Sequence, residues 1–75
     1  MSSYKINNNI RKLRFFNDEM TQKELAQQVG VTRQTINSLE KGKYSPSLEL
    51  AFRIALVFDV PLDSIFSYDQ QEDAD

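Results

Sequence analysis

Hydrophobic residues recur at helical spacing along most of the chain, and short polar stretches separate the resulting segments. One such region carries strong signals for the start and end of a helix. Thr21 and Glu24 have the spacing of a capping box, and Gly30 can adopt the left-handed conformation that ends a helix. Thr32 then provides a second helix cap. The pattern predicts two short helices that share one tight turn, over residues 21–42.

Each of these two helices has one apolar side. Leu25, Ala26 and Val29 mark that side of the first helix, and Ile36 and Leu39 mark it in the second. At about 100° of rotation per residue, the opposite side of the second helix carries only polar residues: Gln34, Asn37, Ser38 and Lys41. We therefore expect the second helix to pack on the first and to present a surface of hydrogen-bond donors and acceptors.

Three further helices complete the predicted fold. Ile6, Ile10 and Leu13 recur at helical spacing and predict a first helix, capped by one of residues 7–9. A helix is predicted to begin at Ser47 and to run to about Phe58. Pro61 marks the start of a short last helix within residues 60–66. The sequence therefore predicts an all-α fold of five helices, over residues 7–67.

The helix predicted over residues 47–58 is apolar on most of its surface. Its expected core residues are Leu48, Leu50, Ala51, Ile54, Ala55 and Phe58. Phe52, Leu56 and Val57 fall on its other faces. Such a helix is either central in the core or shared with a second subunit. The same choice applies to Ile65, Phe66 and Tyr68, which either close the core or form a dimer seam.

The absence of cysteine and histidine limits the chemistry that this chain can perform. Without them there is no disulfide, no thiolate or imidazole metal ligand and no Ser-His pair. Neither a cluster of carboxylates nor a nucleotide-binding motif stands out. We therefore expect no enzyme activity, no metal and no cofactor. No apolar run is long enough to span a membrane, and residues 1–4 lack the features of a signal peptide, so we expect a cytoplasmic protein.

Charge is distributed unevenly along the chain. Residues 1–60 hold all nine Lys and Arg with six acidic residues, a net charge of +3, whereas residues 61–75 hold five acidic residues and no base, a net charge of −5. The overall charge of −2 therefore does not argue against a nucleic-acid partner for the first 60 residues. We expect residues 1–6 to be a lead-in and residues 68–75 to be an acidic, disordered tail.

The stretch from Thr21 to Gly42, TQKELAQQVGVTRQTINSLEKG, resembles the helix-turn-helix of the lambda-repressor-like, Cro-like DNA-binding family, also called the XRE type. The stretch from Tyr44 to Ala55 also matches the family's next helix, so the resemblance covers roughly residues 7–66. The turn near residue 17 departs from the family, because Asn17 and Asp18 stand where glycine is frequent. Asn17 tolerates the left-handed conformation, so a helix end is still expected there.

The resemblance implies that the helix over about residues 32–41 enters the major groove of double-stranded DNA. The residues expected to read bases are Arg33, Gln34, Asn37 and Ser38. Arg33 lies at the flank of this face, where phosphate is its other target. The residues expected to contact the DNA backbone are Gln22, Thr32, Thr35, Lys41, Lys43 and Tyr44. Lys5 and Lys12 remain open between solvent and phosphate. The resemblance also implies an ion pair between Arg14 and Glu40.

The expected function is that of a transcriptional regulator, with repression as its output. A single domain of this size makes few base contacts, so we expect a homodimer on a pseudo-palindromic operator. The alternative is a protein-interaction module on the same fold, such as an antitoxin. That module would use the acidic tail or the patch of Phe66 and Tyr68 to bind a protein partner. No membrane partner is expected.

Overall fold

The computed structural model describes residues 3–71. These residues form the strand β1, four α-helices, one 3-10 turn and the strand β2. Their bounds are β1 Ser3–Asn8, α1 Ile10–Phe16, α2 Gln22–Val29, α3 Arg33–Glu40, α4 Leu48–Phe58, the 3-10 turn Leu62–Ser64 and β2 Phe66–Gln71. The strands pair antiparallel, with Ser3 opposite Gln71 and Asn8 opposite Phe66. Within residues 3–71, no helix is long and apolar enough to cross a membrane.

The two-stranded sheet corrects the prediction of an all-α, five-helix fold. The expected fifth helix is reduced to the 3-10 turn. The expected lead-in and the first part of the expected tail are strands, while residues 1–2 and 72–75 lie outside the described residues. Ile6 belongs to β1 and not to the first helix, so its helical spacing from Ile10 was coincidental. Each strand is short and mostly polar, and its partner is far away in the sequence, so neither strand has a local signal.

The sheet has one apolar face and one polar face, because successive side chains of a strand point to opposite sides. Ile6 is paired with Tyr68 on the apolar face, and the rings of Tyr4 and Tyr68 stack with their centroids 5.0 Å apart. On the polar face, the Asp69 carboxylate accepts hydrogen bonds from Asn7 Nδ2 at 2.6 Å and from Ser67 Oγ at 2.8 Å. These two bonds lower the pKa of Asp69, with Asn7 making the larger contribution.

The hydrophobic core lies among the four helices and the segment that follows α4. The predicted inward residues of α2 and α3 are all buried, as are Leu50, Ala51, Ile54 and Ala55 of α4. Ile65 also joins this core. Phe66 is half-buried against it and Tyr68 is exposed. Leu48 was expected in the core, but 67% of it is exposed because it lies at the first position of α4, beyond the edge of the packed side.

The turn after α1 differs from the expectation in two ways. Phe15 and Phe16 are 62% and 71% exposed, so the prediction that one of them is a core residue is wrong. At about 100° of rotation per residue, both rings lie off the side of α1 that carries Ile10 and Leu13, and they contact each other edge to face. Asn17 has a φ of −101°, and the left-handed residues are Asp18 and Glu19. This conformation brings the Met20 amide back to the carbonyl of Arg14, at 2.9 Å.

Two asparagines join the sheet to the helices. Asn8 Nδ2 donates to the carbonyl of Leu39 at 2.8 Å, and its Oδ1 accepts from the amide of Ile10. The backbone amide of Asn9 donates to the carbonyl of Ile65 at 2.8 Å. The junction of β1 and α1 is therefore bonded both to the end of α3 and to the start of β2.

Asp69 provides a pH-dependent test of the sheet. Its pKa should lie below the ordinary value of 3.8, and Asn7→Ala should raise it. Because the folded pKa is lowered, the contribution of Asp69 to stability is present above pH 3.8 and is lost as the pH falls through the folded pKa. An NMR titration of the Asp69 carboxyl carbon measures the shift, and Ser67→Ala should raise the pKa less than Asn7→Ala. An Asp69 pKa that does not change in Asn7→Ala would contradict this assignment.

Candidate nucleic-acid interface

The start and end of α2 are fixed by local hydrogen bonds. The hydroxyl of Thr21 accepts from the amide of Glu24, and the carboxylate of Glu24 accepts from the amide of Thr21, both at 3.0 Å. The backbone amide of Thr21, and to a smaller extent its side chain, bond the carboxylate of Glu24 and lower its pKa. At the other end, Gly30 has a φ of +77°, a conformation that glycine adopts without strain. The predicted capping box and helix end are thus confirmed.

The start of α3 is also capped. Thr32 Oγ1 accepts from the amide of Thr35 at 3.1 Å, and the two hydroxyl oxygens lie 2.9 Å apart. One hydroxyl donates to the other, which leaves a single hydroxyl hydrogen for an outside acceptor. Ile36 and Leu39 are buried, so the packing of α3 fixes which side faces outward.

Arg14 and Glu40 form a bidentate ion pair between α1 and the end of α3. Arg14 Nε lies 2.6 Å from Glu40 Oε2, and Arg14 Nη2 lies 2.9 Å from Glu40 Oε1. The two side chains are only 14% and 8% exposed. Arg14 Nη1 also donates to the carbonyl of Met20 at 2.8 Å. One guanidinium therefore holds α1, the turn before α2 and the end of α3 together.

Gln22 extends this ion pair into a longer polar network. Its Nε2 donates to Glu40 Oε1 at 3.1 Å and to Asn37 Oδ1 at 3.3 Å. Because the oxygen of Asn37 accepts from Gln22, the amino group of Asn37 is left as the donor that can act outward. The amides of Gln22 and Lys23, at the positive end of α2, have no hydrogen-bond partner within residues 3–71.

The residues predicted to read bases lie along one side of α3, at spacings of three and four residues. Arg33 and Gln34 are exposed at the beginning of the helix. Asn37 and Ser38 are half-buried one turn later. Arg33 and Gln34 are thus more exposed than Asn37 and Ser38, and the role of these four residues in reading bases stays a prediction.

The residues predicted to contact the DNA backbone are divided among three places. Gln22 lies at the start of α2 and is bonded to Asn37 and Glu40, whereas Thr32 and Thr35 lie at the start of α3 and are bonded to each other. Lys41, Lys43 and Tyr44 are exposed in the loop after α3.

A further lysine approaches this loop from the sheet. Gly42 has a φ of +71°, and a Cβ atom added to it would lie 3.4 Å from the Cε of Lys5 and 3.6 Å from its Nζ. Lys5, on the polar face of the sheet, therefore lies against the loop that carries Lys41 and Lys43. The structure brings Lys5 to the predicted DNA surface; it leaves Lys12 as an exposed residue of α1.

Arg11 is a neighbour of this site that the sequence interpretation missed. It is exposed, and it lines a polar hollow. The other residues of that hollow are Arg14, Gln22, Asn37, Glu40 and Lys41. Arg11 precedes Arg14 by three residues on α1, so the helical spacing was a signal that could have identified it. Arg11 adds a cation next to Lys41.

Within residues 3–71, no group of side chains has the composition of a metal site.

The ion pair predicts a specific loss of stability. Glu40→Gln should lower the free energy of unfolding by about 2–3 kcal/mol, because it leaves a largely buried guanidinium without its counter-charge. Urea denaturation at neutral pH measures this loss. Glu49→Gln is the matched control: it breaks the exposed Glu49–Arg53 pair of α4 and should cost less than about 0.5 kcal/mol. Equal losses in the two variants would show that the Arg14–Glu40 pair does not hold α3.

Comparison with known proteins places this site in a family. The family model described as Helix-turn-helix matches residues 10–65 of the chain. This range contains all four α-helices and every residue of the predicted site. The match covers well over half of the chain.

Two archaeal relatives support the same assignment. A protein of Archaeoglobus fulgidus is 58% identical over 53 residues, which cover 71% of this chain and 75% of the relative. A protein of Methanocaldococcus jannaschii is 49% identical over 63 residues, which cover 81% of this chain and 96% of the relative. Both carry the name uncharacterized HTH-type transcriptional regulator.

A solved crystal structure of a protein from Bacteroides fragilis has the same fold. The two structures superpose with a TM-score of 0.71 at 24% sequence identity, over 83% of this chain and 98% of the other. Local caps, helix packing, the family model and the archaeal relatives therefore agree, and this chain belongs to the XRE/Cro-like family of helix-turn-helix transcriptional regulators.

Proposed function

We propose that this protein is a sequence-specific DNA-binding regulator that inserts α3 into the major groove. The observation that carries the proposal is the outward side of α3, where Arg33 and Gln34 are exposed at the entering end. The core contacts of α3 are made on its other side, by Ile36 and Leu39. A row of donors and acceptors on a helix held in place from behind is suited to base edges.

Base choice in this proposal depends mainly on two residues. The carboxamide of Gln34 can bond adenine N6 and N7 together, and the guanidinium of Arg33 can bond guanine O6 and N7. A good bidentate contact of this kind discriminates against a wrong base by about 1–3 kcal/mol. Asn37 and Ser38 are half-buried and act as secondary readers. Asn37 offers its amino group, because Gln22 holds its oxygen.

Affinity in this proposal comes from phosphate contacts on both sides of α3. On one side, the unpaired amides of Gln22 and Lys23 can bind a phosphate oxygen at the positive end of α2. On the other side, Lys43 and Tyr44 are joined by Lys5 from the sheet, whereas Lys41 lines the hollow that Gln22 also lines. Such contacts position the protein and add affinity without selecting a sequence.

The regulator would act as a homodimer on a pseudo-palindrome and would repress by occupying promoter DNA. Two copies related by a twofold axis would read half-sites about 34 Å apart. The alternative, a protein-interaction module, finds support in the exposed ring of Tyr68. That module does not require the polar side of α3, so substitutions on this side should impair DNA reading and leave protein binding intact.

The proposal is tested by selection from a pool of random-sequence duplexes. The wild type should enrich a palindrome, and Gln34→Ala should weaken the base preference at particular positions of that palindrome. Gln28→Ala is the matched control, because it removes an exposed glutamine from α2 away from α3's outer face. Enrichment of no sequence by the wild type at low salt would refute groove reading, as would an equal effect of the two glutamine variants.

The phosphate contacts are tested by measuring affinity at two salt concentrations. Lys43→Ala should weaken binding to all sequences about equally, since it removes a contact with phosphate and not with a base. It should also reduce the slope of log affinity against log salt by about one. A loss confined to particular sequences, with the slope unchanged, would instead place Lys43 on a base.

A further inference from the structure

The outward side of α4 carries three large apolar residues in a row. Leu48, Phe52 and Leu56 follow one another at intervals of four, so they lie along one side of the helix. They are 67%, 51% and 80% exposed. Since the opposite side of α4 already fills the core, the packing of the monomer does not use this row.

The row on α4 continues onto the apolar face of the sheet. Leu48 shares a hollow with Tyr68 and Leu62, and Leu62 also lines an adjacent hollow with Phe52 and Leu56. The ring of Tyr4 stacks on Tyr68 at the far edge. We call this continuous region the α4–sheet surface; it consists of Tyr4, Leu48, Phe52, Leu56, Leu62 and Tyr68.

The α4–sheet surface is large for a domain of this size. Its two tyrosines, like the three residues in the row on α4, are each more than half exposed. With about 200 Å² for a whole aromatic residue, these five residues expose roughly 600 Å². A standard interface buries about 800 Å² on each partner, so the surface approaches the area that a stable dimer needs.

The charge of this surface argues against a nucleic-acid partner. Among the described residues, the two hollows are lined by no lysine or arginine, and Asp59 is their one charged residue. The six residues that define the α4–sheet surface carry no charge, so apart from Asp59 at its margin the surface does not repel a copy of itself. It therefore fits the isologous contact of a twofold dimer, in which the same patch is used on both subunits.

The sheet separates this surface from the proposed DNA surface. Tyr4 and Tyr68 lie on its apolar face, whereas Lys5 lies on the polar face, against the loop at Gly42. A partner seated on the apolar face would leave Lys5 and Lys43 open to DNA. A two-stranded sheet is marginal by itself, so a second copy would also stabilise it.

We propose that the α4–sheet surface is the interface between two copies of this chain. The proposal rests on the proposed function in one respect, because the reading of a pseudo-palindrome requires a twofold pair. The choice of surface rests on its exposed area, its lack of cations and its continuity from α4 to the sheet.

Sedimentation equilibrium of the full chain tests this interface. The wild type should be a dimer, and Leu56→Glu should raise the dissociation constant at least about tenfold, because it places a charge in an apolar contact. Leu56 is 80% exposed, so the variant should keep the wild-type circular dichroism spectrum, and its melting temperature should equal that of the wild type at concentrations where both are monomers. Phe16→Glu is the matched control, because Phe16 is 71% exposed on α1 and outside the surface. It should leave the dissociation constant unchanged.

Two results would overturn the proposal. The first is a wild type that stays monomeric both alone and on a duplex carrying two half-sites. The second is a Phe16→Glu variant that dissociates as readily as Leu56→Glu, or more readily, which would place the interface elsewhere.

A comparison of binding to duplexes with one half-site and with two distinguishes failure of the interface proposal from failure of the proposed function. Leu56→Glu should bind a single half-site as the wild type does and lose the tighter binding to the pair. A monomer that selects a DNA sequence would end the interface proposal and keep the function. A Leu56-dependent dimer that selects no sequence would keep the interface and end the DNA-reading proposal.

Discussion

The Arg14–Glu40 ion pair is the contact on which the geometry of the site depends. α3 has eight residues, which is too short for a helix to be stable in water without tertiary contacts. Its buried residues hold it by one side only, and apolar contacts tolerate sliding and rotation more readily than directional bonds do. Two parallel hydrogen bonds to a planar guanidinium fix the end of α3 in angle as well as in distance. Since Arg14 also binds the turn before α2, this one side chain fixes the positions of both helices of the motif.

The remaining polar contacts connect the Arg14–Glu40 ion pair to the outward side of α3. Gln22 carries the network from Glu40 to Asn37, so a residue on the proposed reading side is connected to the buried pair by two hydrogen bonds. Asn8 provides a separate tether from β1 to the carbonyl of Leu39. Among the described residues, no buried side-chain nitrogen or oxygen lacks a partner. The half of α3 near its C-terminus is thus held by bonds, while Arg33 and Gln34 at the other end remain free to adjust.

The motif was predictable from the sequence because its signals are local. Thr21, Glu24 and Gly30 specify the ends of α2 within ten residues, and helical spacing then places the core residues. The Arg14–Glu40 pair did not follow from spacing; the family resemblance implied it. The sheet was missed because Tyr4 and Tyr68 meet only after the whole domain has folded between them. The exposure of Phe15 and Phe16 was missed although helical spacing places both of them off the side of α1 that carries Ile10 and Leu13.

The antiparallel pairing of β1 with β2 has a consequence for the order of folding. Its partners, from Asn8 with Phe66 to Ser3 with Gln71, are among the most distant in the described sequence, so closing this loop carries a large entropy loss. The four helices shorten the loop when they pack, and the strands can then meet at little further cost. We therefore expect the sheet to form late and to open first during local unfolding. The part of the α4–sheet surface that Tyr4 and Tyr68 form would exist only in the completed monomer, which would delay self-association until the chain has folded.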